Sequence, residues 1–158
     1  MRQQYDAVIS LDLVRPLATE PAHRVRRRHF LKYSTRVLCL DFDNSDDVPD
    51  RAVLAIVQFA QQLSPGMKIM IHCRSGLVHA PAAALILLRE HGLGQRRALA
   101  EVLRIQPRAT PSLAMGRLYT QLVTDAICTT GFDVLEWSTE DEEVEVAAAL
   151  TVPAITVE

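Results

Sequence analysis

Aromatic side chains make up only 5% of this 158-residue chain, and there are only three cysteines. Cys39, Cys73 and Cys128 are widely spaced and odd in number, which argues against a disulfide framework and leaves free thiols. No Cys-x-x-Cys or His-x-x-x-His spacing occurs, so the pattern suggests no zinc site, and neither a metal nor a cofactor is expected. No apolar run reaches the roughly 18–20 residues of a membrane span. Residues 1–6 lack the apolar core of a signal peptide. The expectation is a soluble, cytoplasmic protein with no membrane partner. Internal repeats are absent.

What the chain does have is an apolar half, 49% of residues, dominated by Ala, Leu and Val. That is enough for one core in one domain. The net charge of −2 hides an asymmetry. Residues 129–158 hold eight acidic and no basic side chains, so the other 128 carry 17 basic against 11 acidic, or +6. A mildly basic body suits an anionic ligand, but the excess is too small to indicate nucleic acid.

Residues 5–14 and 36–42 read as strands. Residues 16–32 read as irregular and basic; Arg24, Arg26, Arg27 and Arg28 form either an anion-binding patch or, more simply, a solvated face. Residues 43–49 are rich in turn and cap formers. Residues 52–63 carry apolar side chains at a helical period, and Ser64-Pro65-Gly66 ends them. Residues 67–71 form a short apolar run suited to a strand buried on both faces, followed by a loop over 72–79. Residues 80–91 read as a helix with Pro81 in its first turn and Gly92 and Gly94 after it. Further helices are expected over 96–105 and from Pro111 and Ser112 to about 128. This order predicts an α/β domain over residues 1–130: a small central, mostly parallel sheet flanked by helices, with ligand contacts at a strand's carboxyl end. Residues 131–158 read as a C-terminal acidic and apolar extension. It suits either a loosely packed tail or a strand docked on the body or on another copy, which would give a homo-oligomer.

The chemistry concentrates in Ile71-His72-Cys73-Arg74-Ser75-Gly76-Leu77-Val78-His79-Ala80-Pro81-Ala82. A buried strand delivers a cysteine into a short loop that opens directly into a helix. Amides of such a loop, over residues 74–79, converge on one point, and the helix N-terminus adds its positive end. A thiol placed there is favoured as thiolate, a nucleophile for a bound phosphate monoester. Gly76 allows the turn where a side chain would obstruct an anion. The bland alternative is a buried strand-end cysteine with no role.

This stretch resembles the His-Cys-x-x-Gly-x-x-Arg-Ser/Thr motif of the protein tyrosine and dual-specificity phosphatases, with His72, Cys73 and Gly76 in place. The segment Gln106-Pro107-Arg108-Ala109-Thr110-Pro111-Ser112 is similar to a Ser-Pro-x-Ala-x-Pro-Asn stretch of small bacterial tyrosine-phosphatase-like proteins. The resemblance spans roughly residues 36–128. It implies a cysteine-phosphatase-like fold, Cys73 as nucleophile, His72 bracing the loop, and Arg74, Ser75, Gly76, Leu77, Val78 and His79 around the phosphate. It also implies a general acid in the loop after the second strand, with Asp43 first and Asp46 second; a register shift of one would put Asn44 there instead.

Two departures alter that reading. His79 stands where the family has the arginine that grips two phosphate oxygens; a histidine is shorter and lacks the planar fork. Ala80 stands where the family has a hydroxyl supporting the thiolate. Arg74 is a weak substitute, since that position usually points away from the phosphate. The favoured expectation is a pseudophosphatase that binds a phosphorylated protein or a small phosphate monoester, or acts as a scaffold. The alternatives are an active cysteine-dependent phosphatase working through a Cys73 thiophosphate, and a structural module assembling through its tail.

Overall fold

The computed structural model describes residues 5–13, 22–42, 48–130 and 154–157. Strand β1 (Ala7–Leu13), helix α1 (Ala22–Phe30), strand β2 (Val37–Phe42), helix α2 (Asp50–Ala60) and strand β3 (Lys68–Cys73) come first. Helices α3 (His79–Glu90), α4 (Gln95–Ile105) and α5 (Leu113–Thr130) and strand β4 (Ala154–Val157) follow. The four strands form one sheet in the order β2-β1-β3-β4, and every neighbouring pair is parallel. The architecture is the α/β sheet with flanking helices that the element order predicts.

Side chains alternate across the strands and so build two unequal cores. Ala7, Ile9 and Leu11 of β1 and Ile69, Ile71 and Cys73 of β3 join the larger core with α2, α3, α4 and α5. Val8, Val37 and Met70 point the other way, onto Phe30 of α1. Helix α3 runs through the larger core and is buried nearly all round, which is why its sequence, rich in Ala and Leu, shows little amphipathic contrast. It ends in a Schellman turn: the Leu93 amide donates to the Leu88 carbonyl (3.0 Å) and the Gly92 amide to that of Arg89 (2.9 Å). Gly92 adopts the φ of +89° that this turn demands.

Two expectations differ from the structure. Residues 22–30, read as irregular, form α1, whose polar residues are held by ion pairs to the sheet rather than by an apolar stripe. Strand β3 extends two residues further than expected, through His72 and Cys73, because both pair with β1 opposite Ser10 and Leu11. Of the acidic extension, residues 154–157 lie within the described residues. They form β4, which pairs with β3 from Lys68 to Ile71.

Candidate functional site

Strand β3 is a continuous apolar run because both its faces are covered, and it ends by placing Cys73 in the larger core, 3% exposed. Its sheet neighbour in β1 is Leu11, whose neighbour in β2 is Leu40. After Cys73 the chain turns sharply. Arg74 and Ser75 face solvent, while Gly76 is buried with a φ of +66°. The Leu77 amide donates to Ser75 Oγ at 3.2 Å, which tightens the turn.

The second half of the loop is tied back to the segment before α5. The Thr110 amide donates to the Leu77 carbonyl (2.8 Å), and the Ser112 amide to the Val78 carbonyl (3.2 Å). All peptides are trans among the described residues, and in a trans peptide the N–H points opposite to the C=O. Fixing those two carbonyls outward therefore turns the Val78 and His79 amides away from the 110–112 segment. Helix α3 then begins without a side-chain cap at Val78. Its first amides have no intrahelical acceptors, and the dipole leaves this end positive. The arrangement can attract an anion.

His79 opens α3 and is buried, 9% exposed. Its ring lies 5.3 Å from that of Phe42 at the end of β2, tilted by 51°. Ala80 is fully buried in the core and brings a methyl group where the resemblance has a hydroxyl. His72 points to the opposite face of the sheet. Its Nδ1 is 3.4 Å from Ser10 Oγ and its ring 5.5 Å from Phe30, so it couples the cysteine-bearing strand to β1 and α1. Residues 72–79 thus stay together as one strand end, loop and helix start. Asp43, Asn44 and Asp46, the general-acid positions, lie outside the described residues.

A second polar cluster escaped the sequence reading. Asp12 and Asp41 sit in register at the ends of β1 and β2. Arg26, its side chain only 13% exposed, pairs with both, and His23 Nδ1 lies 3.0 Å from Asp41 Oδ2. Arg26 also donates to the Leu40 carbonyl (2.9 Å) and Arg27 to the Val37 carbonyl (3.0 Å). Two of the four clustered arginines are therefore committed to the sheet. The signal was present as two strands each carrying Leu-Asp just before its last residue, and as His23 and Arg26 three residues apart on one helix face. Cys39, half-buried on this side, has its thiol pushed up by burial, partly offset by Arg26 and Arg27. It is a poor nucleophile beside its role in packing. Among the described residues no three His, Cys, Asp or Glu side chains gather in a way that could hold a metal ion, and no helix is long and apolar enough to cross a membrane.

No family model matches the sequence, and no curated protein does. Solved structures do. The fold is similar to that of Tk-PTP in the active form, with a TM-score of 0.53 and 24% identity over 75% of this chain and 78% of that one. It is also similar to PTPMT1, with a TM-score of 0.52 and 17% identity over 78% and 82% of the two chains. Human DUSP28 aligns at a TM-score of 0.46 and 14% identity over 79% and 82%.

Proposed function

From a chain whose fold is that of the protein tyrosine and dual-specificity phosphatases, we propose a pseudophosphatase: a domain that binds a phosphorylated protein or a small phosphate monoester and turns it over very slowly or not at all. The observation that carries this reading is His79, buried against Phe42, at the motif position that the resemblance gives to a phosphate-gripping arginine. Phosphoryl transfer is catalysed almost entirely by positioning and charge stabilisation, and losing an arginine that supplies the charge costs about 10³–10⁵ in rate. Ala80 removes the hydroxyl support for the thiolate as well. What favours binding is the rest of the loop: Gly76 in its left-handed turn, the Leu77 and Val78 carbonyls tied outward, and the uncapped start of α3.

The test pairs calorimetric titration of a phosphotyrosine peptide with a hydrolysis assay on the same peptide. The expected result is binding without turnover. Hydrolysis that vanishes in Cys73→Ser refutes the reading.

One observation favours a slow enzyme as the second reading. Cys73 keeps its place at the end of β3, where the loop that opens the uncapped helix α3 begins. The mechanism would be attack of the Cys73 sulfur on phosphorus, departure of the ester oxygen, then hydrolysis of the thiophosphate. Phosphate release that is abolished in Cys73→Ser and raised in His79→Arg would select this reading.

A further inference from the structure

Two arginines flank the cysteine loop. Arg74 follows Cys73 directly and is exposed. Arg108 is exposed in a turn over residues 106–109, closed by the Ala109 amide on the Gln106 carbonyl at 3.0 Å. That turn is pinned to the far half of the loop, because the Thr110 amide donates to the Leu77 carbonyl at 2.8 Å. Consecutive Cα atoms are about 3.8 Å apart, so Arg108 branches from the chain within roughly two such steps of the residue that touches the loop.

Among the described residues, neither Arg74 nor Arg108 forms an ion pair or a side-chain hydrogen bond. Their surroundings in sequence do not neutralise them: residues 72–79 and 106–112 contain no Asp or Glu. The carboxylates at the ends of β1 and β2, Asp12 and Asp41, are engaged by Arg26. The fold therefore uses neither guanidinium, and both add positive potential on the two sides of a loop already suited to an anion.

We propose that the loop takes a phosphorylated peptide whose phosphate is flanked by acidic side chains, with Arg74 and Arg108 receiving the flanking carboxylates. An extended peptide places side chains two and three residues away about 7–10 Å to each side of the phosphorylated one, so a single ligand supplies a carboxylate for each arginine. The preference rests on the proposed phosphate binding and adds a choice of sequence to it. Each exposed pair contributes up to about fivefold in affinity, less as salt screens it.

The experiment follows fluorescence anisotropy of labelled phosphotyrosine peptides titrated with the full chain. The flanking positions are all Glu or all Lys, and each peptide is also tested without its phosphate. The Glu-flanked phosphopeptide is expected to bind about tenfold or more tightly than the Lys-flanked one. Arg74→Glu and Arg108→Glu each reduce that ratio by about threefold or more. Reading the ratio cancels any general loss of phosphate affinity in the variants. Arg97→Glu, at an exposed position on α4, makes the same change in net charge and leaves the ratio as it was. A starting ratio near one, a ratio that either Arg74→Glu or Arg108→Glu leaves unchanged, or an equal shift in Arg97→Glu overturns the proposal. The phosphate reading survives those outcomes so long as the phosphopeptides bind more tightly than their unphosphorylated forms. Where phosphorylation makes no difference, both readings fall.

Discussion

The Ser112 amide donates to the Val78 carbonyl at 3.2 Å, and Ser112 Oγ accepts from the Met115 amide at 3.3 Å. One residue thus caps α5 and holds the cysteine loop. The two roles separate by substitution. Ser112→Ala removes the cap and is expected to cost about 1 kcal/mol in urea denaturation, with little change in phosphate affinity. Ser112→Pro removes the amide as well, costs about 1 kcal/mol more, and weakens phosphate binding by loosening the loop. Equal phosphate affinity in the two variants would show that the tie to Val78 does not shape the site.

Restoring the missing chemistry is the most direct check on the site. His79→Arg with Ala80→Ser is expected to raise phosphotyrosine-peptide hydrolysis by about 10³-fold or more. The arginine enters a buried place beside Phe42, so a stability loss of about 1–3 kcal/mol from overpacking accompanies the gain. Hydrolysis that stays at the starting level in a folded double variant would locate the defect elsewhere in the loop.

Tyr119 locks α5 to α3 through Glu90. Burial pushes its phenol well above the ordinary tyrosine range, and the hydrogen bond to Glu90 adds to the shift. A raised value in the folded chain stabilises it fully below the ordinary tyrosine pKa of about 10, and that contribution is lost as the pH climbs beyond it. In an ultraviolet titration, the Tyr119 phenol should ionise only above the ordinary tyrosine range, together with alkaline unfolding. Tyr119→Phe should cost about 1–3 kcal/mol at neutral pH, since it removes a bond to a carboxylate, and that deficit should shrink as the pH climbs beyond about 10, because the variant has no phenol to ionise.

The arginines of α1 should divide by what they touch. Arg26→Met leaves Asp12 and Asp41 side by side without their cation and is expected to destabilise by about 3–5 kcal/mol. Arg24→Ala, at an exposed position, should change stability by no more than about 0.5 kcal/mol. Thermal or urea denaturation of the two variants measures the contrast, and similar losses would show that the helix is held by something other than the Arg26 cluster.

Strands 5–14, 36–42 and 67–71 were legible because each is an apolar run bounded by turn formers, and the Cys73 loop because a buried strand, a glycine and an Ala-rich helix follow in order. Helix α1 was not legible. Most of its residues are basic, and Val25 is nearly half exposed, so no apolar period announces it. What fixes it is Arg26 reaching Asp12 and Asp41, acids that lie fourteen residues before it and fifteen after, a pairing that only the sheet register creates. The position of His79 was readable, but its environment was not, since Phe42 meets it only through the crossing of α3 over the strand ends.

Strand β3 carries the cysteine between two parallel neighbours, β1 before it and β4 long after it. During synthesis, therefore, the strand that presents Cys73 has one raw edge until residues 154–157 emerge from the ribosome. Parallel pairing across so long a stretch of chain is slow, and an unpaired apolar edge recruits other chains. The finishing strand thus works as a late seal, so nascent chains stalled before it should cling to chaperones or to one another, even though every residue of the loop has already been made.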